Sequence, residues 1–128
     1  MNNLIIVISS IIEIIEQNFQ SERGDSFDLS LTFKDENGGA VDITAWKIFF
    51  TAKLSKDLDD DDEGVIAKTA DIIKGDEGTA KISLTAEDTD DLLGVYFYDV
   101  QYKDKDDNVK TIIKGKIIFT KDITRKIE

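Results

Sequence analysis

Carboxylates are the residues best suited to chemistry in this chain of 128 residues. The densest group lies between Asp57 and Gly64. It consists of Asp57, Asp59, Asp60, Asp61, Asp62 and Glu63. Carboxylate oxygens are the ligands that Ca²⁺ prefers, but the EF-hand spacing fails because Asp62 stands where that loop needs glycine and Lys68 where it needs glutamate. A solvated acidic loop, mobile through like-charge repulsion, is the favoured interpretation, and a calcium site is the alternative.

Catalytic groups of other kinds are scarce. The chain has no histidine and no cysteine, which removes the commonest general base, thiolate chemistry and disulfides. No Walker loop, Gly-x-Ser-x-Gly elbow or Ser-x-x-Lys motif is present. Paired carboxylates can hydrolyse glycosides only across a cleft, for which a small domain has little room. We therefore expect a protein that is not an enzyme and that binds no cofactor, metal or small-molecule substrate. Asp99 is the most interesting single carboxylate, and we expect it to lie on the solvent face and pair with a neighbouring lysine such as Lys110 or Lys114.

The charge balance indicates which macromolecules the chain avoids. It contains 16 Lys plus Arg against 27 Asp plus Glu, a net charge of -11. Such a surface repels phosphate backbones, so we expect no binding to nucleic acid. The tripeptide Arg23-Gly24-Asp25 occurs in integrin ligands, but here it precedes an alternating segment and indicates a tight turn.

Residues 1–11 form an apolar N-terminal extension. A signal peptide begins with basic residues, but no Lys or Arg precedes Arg23 in this chain. Polar residues also interrupt the apolar run before it reaches the length of a membrane span. We expect a protein that is soluble and does not bind membranes. The spacing suits a short coiled-coil seam, whereas the β-branched residues favour a strand. Either way, the segment should complete its own domain or mediate self-association. The candidate interface residues are Leu4, Ile6, Ile8 and Ile11 within this extension and Ile15 just after it.

Period-2 alternation dominates the rest of the chain. It is clearest in the segments 27–33, 46–54, 80–84 and 96–102, each with apolar residues on one face. With segments near 11–20 and 65–73 and the end of the hairpin from Gly94 to Phe119, about seven strands are predicted. These predict an all-β, immunoglobulin-like antiparallel sandwich that forms a single domain over residues 12–128. A Thr cap at Thr85 predicts one short helical turn within 85–93.

The strand that begins at Gly94 carries two further predictions. Val95 and Phe97 make it apolar on both faces, which indicates a central strand or an outer face that a partner covers. Tyr96 is the candidate for a tyrosine corner, in which the hydroxyl bonds a preceding backbone group, and the alternative is ordinary core packing.

Several strings together resemble a known family. They are Arg23 to Gly38, Val41 to Thr51, Leu84 to Thr89, Gly94 to Gln101, Gly115, and Asp122 to Arg125. In order and spacing, over about residues 12–125, they resemble the N-terminal β-sandwich of tailed-phage baseplate upper proteins and related small phage and prophage proteins. In the larger relatives a long fibrous or receptor-binding region follows, whereas this chain stops at Glu128.

The resemblance implies a non-catalytic virion component, assembled in the bacterial cytoplasm, that acts as a tail or baseplate adaptor or assembly subunit. Its partners would be other virion subunits, bound through sheet edges and terminal extensions. The alternative function is an immunoglobulin-like module for carbohydrate binding or cell-surface adhesion. Sugar-binding sandwiches usually expose an aromatic platform, and Trp46 alternates in phase with core residues, which favours the structural role.

Overall fold

The computed structural model describes residues 2–9, 14–54, 65–90 and 92–120. Its strands are β1 Asn2–Ile8, β2 Ile15–Glu16, β3 Phe19–Glu22, β4 Phe27–Phe33, β5 Lys47–Lys53, β6 Ile66–Thr69, β7 Asp71–Lys74, β8 Thr79–Leu84, β9 Gly94–Lys103 and β10 Val109–Thr120. The helical elements are a 3₁₀ turn at Gly75–Glu77 and α1 at Ala86–Thr89. Among these residues no helix has the length and apolar character needed to cross a membrane.

The strands form two sheets that pack face to face. The first has the order β1, β4, β8, β7. In the second, β9 lies between β10 and β5, β6 pairs with the far side of β5, and both β2 and β3 pair with the outer side of β10. The prediction of an all-β sandwich is confirmed, and so is the central position of β9.

Two features differ from the sequence-based expectation. The described residues contain ten strands rather than about seven, because the N-terminal extension forms the further strand β1, because β2 and β3 are short separate strands, and because residues 66–74 divide between the two sheets. The pairing is also not purely antiparallel, since β1 runs parallel to β4, and β2 and β3 run parallel to β10. The immunoglobulin-like assignment stays a prediction.

The core follows the alternation of the strands. On β4, residues Phe27, Leu29, Leu31 and Phe33 are all buried while the residues between them are not. Phe50 and Tyr98 from the second sheet stack within this core, with ring centroids 5.6 Å apart. Burial of side chains of this size stabilises a fold by about 1.5 to 3 kcal/mol each before ordering costs.

The N-terminal strand is part of this core. β1 pairs with β4 in register from Asn2 opposite Phe27 to Ile8 opposite Phe33. Residues 2–8 are therefore a strand and not a helix, which decides between the two structures that the sequence allowed.

The helical turn predicted within 85–93 is confirmed by α1 and its cap. The Thr85 hydroxyl accepts a hydrogen bond from the Asp88 amide at 3.1 Å, and the Asp88 carboxylate accepts one from the Thr85 amide at 2.8 Å. The same carboxylate lies 2.9 Å from the ammonium group of Lys68 on β6. This capping box thus links α1 to the edge strand of the second sheet.

Asp88→Ala should lower the free energy of unfolding by about 1 kcal/mol at neutral pH, because it removes the carboxylate half of the capping box. Burial alone would raise the pKa of Asp88, but Lys68 and the Thr85 hydrogen bonds outweigh it and lower the pKa. A lowered folded-state pKa gives stability that is present above the unfolded value of about 3.9 and lost as pH falls through the folded value. The difference in unfolding free energy between Asp88→Ala and the wild type should therefore be smaller in acid than at neutral pH, as measured by urea unfolding under both conditions. Glu87→Ala, at an exposed neighbouring position, is the control. If Asp88→Ala lost as much stability in acid as at neutral pH, the proposed role of its carboxylate would be wrong.

Candidate interaction surfaces

The interface residues predicted in the N-terminal segment are mostly used within the protein itself. Ile6 and Ile8 are buried in the core, and Leu4 and Ile15 pack against it with partial exposure. This placement corrects the expectation that Ile6 and Ile8 face a partner, because the alternation of β1 turns both side chains inward. The outward side chains of the strand are Ile5 and Val7, which are exposed. Ile11 lies outside the described residues.

The calcium candidates also lie outside the part of the chain that the structure describes. Asp57, Asp59, Asp60, Asp61, Asp62 and Glu63 all fall between β5 and β6 in that gap. Within the described ranges, no three acidic side chains converge in a group that could hold a metal ion. The acidic-loop and calcium-site interpretations both stay predictions.

The Arg23-Gly24-Asp25 tripeptide forms a tight turn between β3 and β4. Gly24 has a φ of 81°, a conformation that glycine adopts at little cost. Its amide donates to the Thr89 carbonyl at 3.1 Å, and the Thr89 hydroxyl donates to the Asp25 carbonyl at 2.7 Å. The turn prediction is confirmed, and the contacts fix the tripeptide against α1.

The connection between β2 and β3 is held closely against β10. The Gln17 amide donates to the Lys114 carbonyl at 3.0 Å, and the Lys116 amide donates to the side-chain oxygen of Asn18 at 2.8 Å. The Tyr98 hydroxyl donates to the Gln17 carbonyl at 2.6 Å, and burial raises the pKa of Tyr98 well above its ordinary value. Within the described chain, Tyr98 therefore makes the tyrosine-to-backbone bond that the sequence assigned to Tyr96, which is buried beside Phe119.

The outer face of the second sheet carries an unusual set of side chains. We call the outward side chains of β5, β9 and β10 the basic face. Its charged and apolar members are Lys47, Phe49, Lys53, Val95, Phe97, Asp99, Lys103, Val109, Lys114, Lys116 and Ile118. Five are lysines and one is a carboxylate, which is unusual on a chain with a net charge of -11. Glu16 and Glu22 border the face on the outer strands β2 and β3.

The centre of the basic face combines apolar and charged groups. Phe97 lies opposite Lys116 on one side and Lys53 on the other, and the Lys116 ammonium is 5.7 Å from the centre of its ring. Asp99 lies opposite Lys114, one of the two pairings that the sequence suggested, and accepts a hydrogen bond from the Gln101 side chain at 3.3 Å. A shallow groove of about 700 Å³ runs over this region. Its outward lining includes Phe49, Thr51, Lys53, Phe97, Asp99 and Lys114.

Exposure of the apolar side chains makes this face a candidate for contacts with proteins. Val95 and Ile118 are each 42% exposed and lie opposite one another on β9 and β10. Phe49 is 37% exposed on β5. Sequence reasoning named Val95, Phe97 and the pairing of Asp99 with a lysine of β10, but it did not find the face as a whole. The available signal was the in-phase spacing of Lys114, Lys116 and Ile118 along one face of β10.

Four turns place negatively charged side chains, opposite in sign to the lysines of the basic face, at one end of the sandwich. Phe33 bonds Gly78, and Ile43 bonds Gly75, so the turns after β4, before β5 and between β7 and β8 are adjacent. The stacking of Trp46 on Tyr102 brings the turn between β9 and β10 to the same end. We call this region the acidic end. Its carboxylates are Asp35, Glu36, Asp42, Asp76, Glu77, Asp104, Asp106 and Asp107, and they outnumber the three lysines of the same turns, Lys34, Lys74 and Lys105.

Comparisons with known proteins identify a structural neighbour. No family model and no curated protein matches the sequence. Among solved structures, the N-terminal domain of phage TP901-1 ORF48 superposes on 94% of this chain and on 100% of that domain, with a TM-score of 0.55 and 13% sequence identity. The chain has the fold of this phage domain. At such an identity the likeness describes the fold alone.

On this phage-domain fold, the single tryptophan does not form an exposed platform. Trp46 is half-buried between Phe33, which it meets edge-on at 5.3 Å, and Tyr102, on which it stacks at 4.3 Å. Two aromatic neighbours thus cover part of its ring system near the acidic end. An exposed aromatic surface for sugars would have to come from the basic face, where Phe49 and Phe97 are flanked by lysines.

Proposed function

We propose that this chain is a non-catalytic structural subunit of a phage or prophage virion, a tail or baseplate type of adaptor that acts through contacts with other virion proteins. The observation that carries the proposal is the match to a phage protein domain over 94% of the chain and the whole of that domain. The resemblance of residues 12–125 to the sandwich of baseplate upper proteins supports the same assignment. Localisation in the virion, after assembly in the bacterial cytoplasm, is part of the proposal.

The surface chemistry agrees with a role in assembly. An acidic chain that carries a basic face with exposed apolar groups among its lysines presents two unlike surfaces on one sandwich. Such surfaces are typical of protein interfaces, in which apolar centres are bordered by charges that select the partner. Carbohydrate binding is the second candidate, and the stacking of Trp46 on Tyr102, which covers one face of its ring system, weighs against it.

Deleting the coding sequence from the phage or prophage that carries it should give particles with defective or absent tails. Purified wild-type particles should contain the chain in a fixed ratio to the other tail proteins, measured by quantitative mass spectrometry and electron microscopy. Complementation with the wild-type sequence is the control. Normal, infectious particles that lack the chain would overturn the proposal, and specific retention on a glycan array would favour the binding module instead.

A further inference from the structure

The basic face and the acidic end are complementary surfaces of one molecule. The basic face contains five of the 16 basic residues and one of the 27 acidic residues. The other 11 basic and 26 acidic residues lie elsewhere in the chain. The two regions meet where Lys103 contacts Asp107 at 3.4 Å and where Lys47 begins β5. The charge separation therefore runs from a flat sheet face to an adjoining end of the same sandwich.

We propose that the basic face of one copy binds the acidic end of a second copy. The occupant follows from charge complementarity, since the turns of the acidic end carry eight carboxylates against three lysines, whereas the basic face carries five lysines against the single carboxylate of Asp99. Because the two surfaces differ, the contact is heterologous, and repeating it produces a ring or a filament. The inference deepens the proposed function, on which its biological meaning rests.

Net charge opposes the contact only at long range. A chain of net charge -11 repels its copies, but at physiological salt the Debye length is about 8 Å, so distant charges are screened. Pairs at contact distance within a partly desolvated interface are screened less. Burial of Phe49, Val95, Phe97 and Ile118 adds an apolar contribution of about 25 cal/mol per Å².

The expected contact is a weak one. Strands about 4.8 Å apart with about 3.4 Å per residue give the basic face an area on the order of 400 Å². That is below the roughly 800 Å² that each partner buries in a standard stable interface. We therefore expect reversible association of the free chain, with several such contacts reinforcing one another in an assembly.

Sedimentation equilibrium of the purified chain tests the inference directly. The average mass should rise above the 14.4 kDa monomer as concentration increases at about 0.1 M salt, and it should return toward the monomer at about 0.5 M. A face variant, Lys53→Glu with Lys114→Glu and Lys116→Glu, should weaken association at least about tenfold by replacing attraction with repulsion. An end variant, Glu36→Lys with Asp76→Lys and Asp106→Lys, should do the same. Their thermal unfolding establishes that both are folded.

Mixing the two variants separates this arrangement from every other. Each variant retains one native surface, so an equimolar mixture should associate as well as or better than the wild type although each variant alone associates at least about tenfold more weakly. Lys81→Glu, on the outer face of the first sheet, is the control for the face variant and should leave the average mass of the wild type unchanged. A wild-type monomer under all conditions would overturn the inference and leave the face to a different protein. A mixture that stays monomeric would overturn it equally, and neither result would affect the presence of the chain in virions.

Discussion

Gly115→Ala should lower the free energy of unfolding by about 4 kcal/mol, the largest loss that we expect from a single added methyl group. A Cβ at this position would overlap the backbone carbonyl oxygen of Gln17. The connection between β2 and β3 would have to move away from β10, which costs about 1 to 3 kcal/mol as overpacking. That movement would also weaken the bonds that Gln17 makes to Lys114 and to the Tyr98 hydroxyl, at about 1 kcal/mol each.

Urea unfolding with tryptophan fluorescence measures this loss. Gly38→Ala is the matched control, because Gly38 has a φ of 81° but nothing within reach of an added Cβ. It should cost only the strain of a left-handed alanine, about 1 kcal/mol. If Gly115→Ala were no more destabilising than Gly38→Ala, the close packing of the Gln17 segment on β10 would be wrong.

The sequence predicted the elements whose stability comes from local pattern. The alternation from Phe27 to Phe33 and the Thr85 cap both have one-dimensional signals, and both appear where expected. Nothing in such a pattern specifies the direction in which a partner strand runs. The parallel pairings of β1 with β4 and of β10 with β2 and β3 therefore had no local signal, since they depend on contacts between residues far apart in the chain.

The choice between Tyr96 and Tyr98 shows the same limit. Both tyrosines point inward on β9, so their spacing is equivalent, and only the position of the Gln17 carbonyl determines which hydroxyl has an acceptor. The basic face was missed for a related reason. Its lysines come from three strands that are up to about 70 residues apart in sequence, and they become one surface only when β9 lies between β5 and β10.

Ile8→Ala should lower the free energy of unfolding by about 3 kcal/mol in the isolated chain. Ile8 is 1% exposed and belongs to the same core as Phe33, its partner across the β1 and β4 ladder. Removing its side chain loses buried apolar surface and leaves a cavity, for which Ile to Ala changes cost about 2 to 5 kcal/mol. The same loss should appear at low protein concentration, because the contact is within one molecule.

Val7→Ala is the matched control on the opposite face of β1. Val7 is 50% exposed, so its truncation should change the free energy of unfolding by less than about 0.5 kcal/mol.

The pair of substitutions separates the two roles that the sequence left open for this segment. If the strand completes its own sandwich, Ile8→Ala should be strongly destabilising and Val7→Ala nearly neutral at every protein concentration. A strand supplied to another subunit would instead make the cost of Ile8→Ala depend on concentration, because the lost contacts would then be intermolecular. Equal effects of the two substitutions would contradict the inward orientation of Ile8.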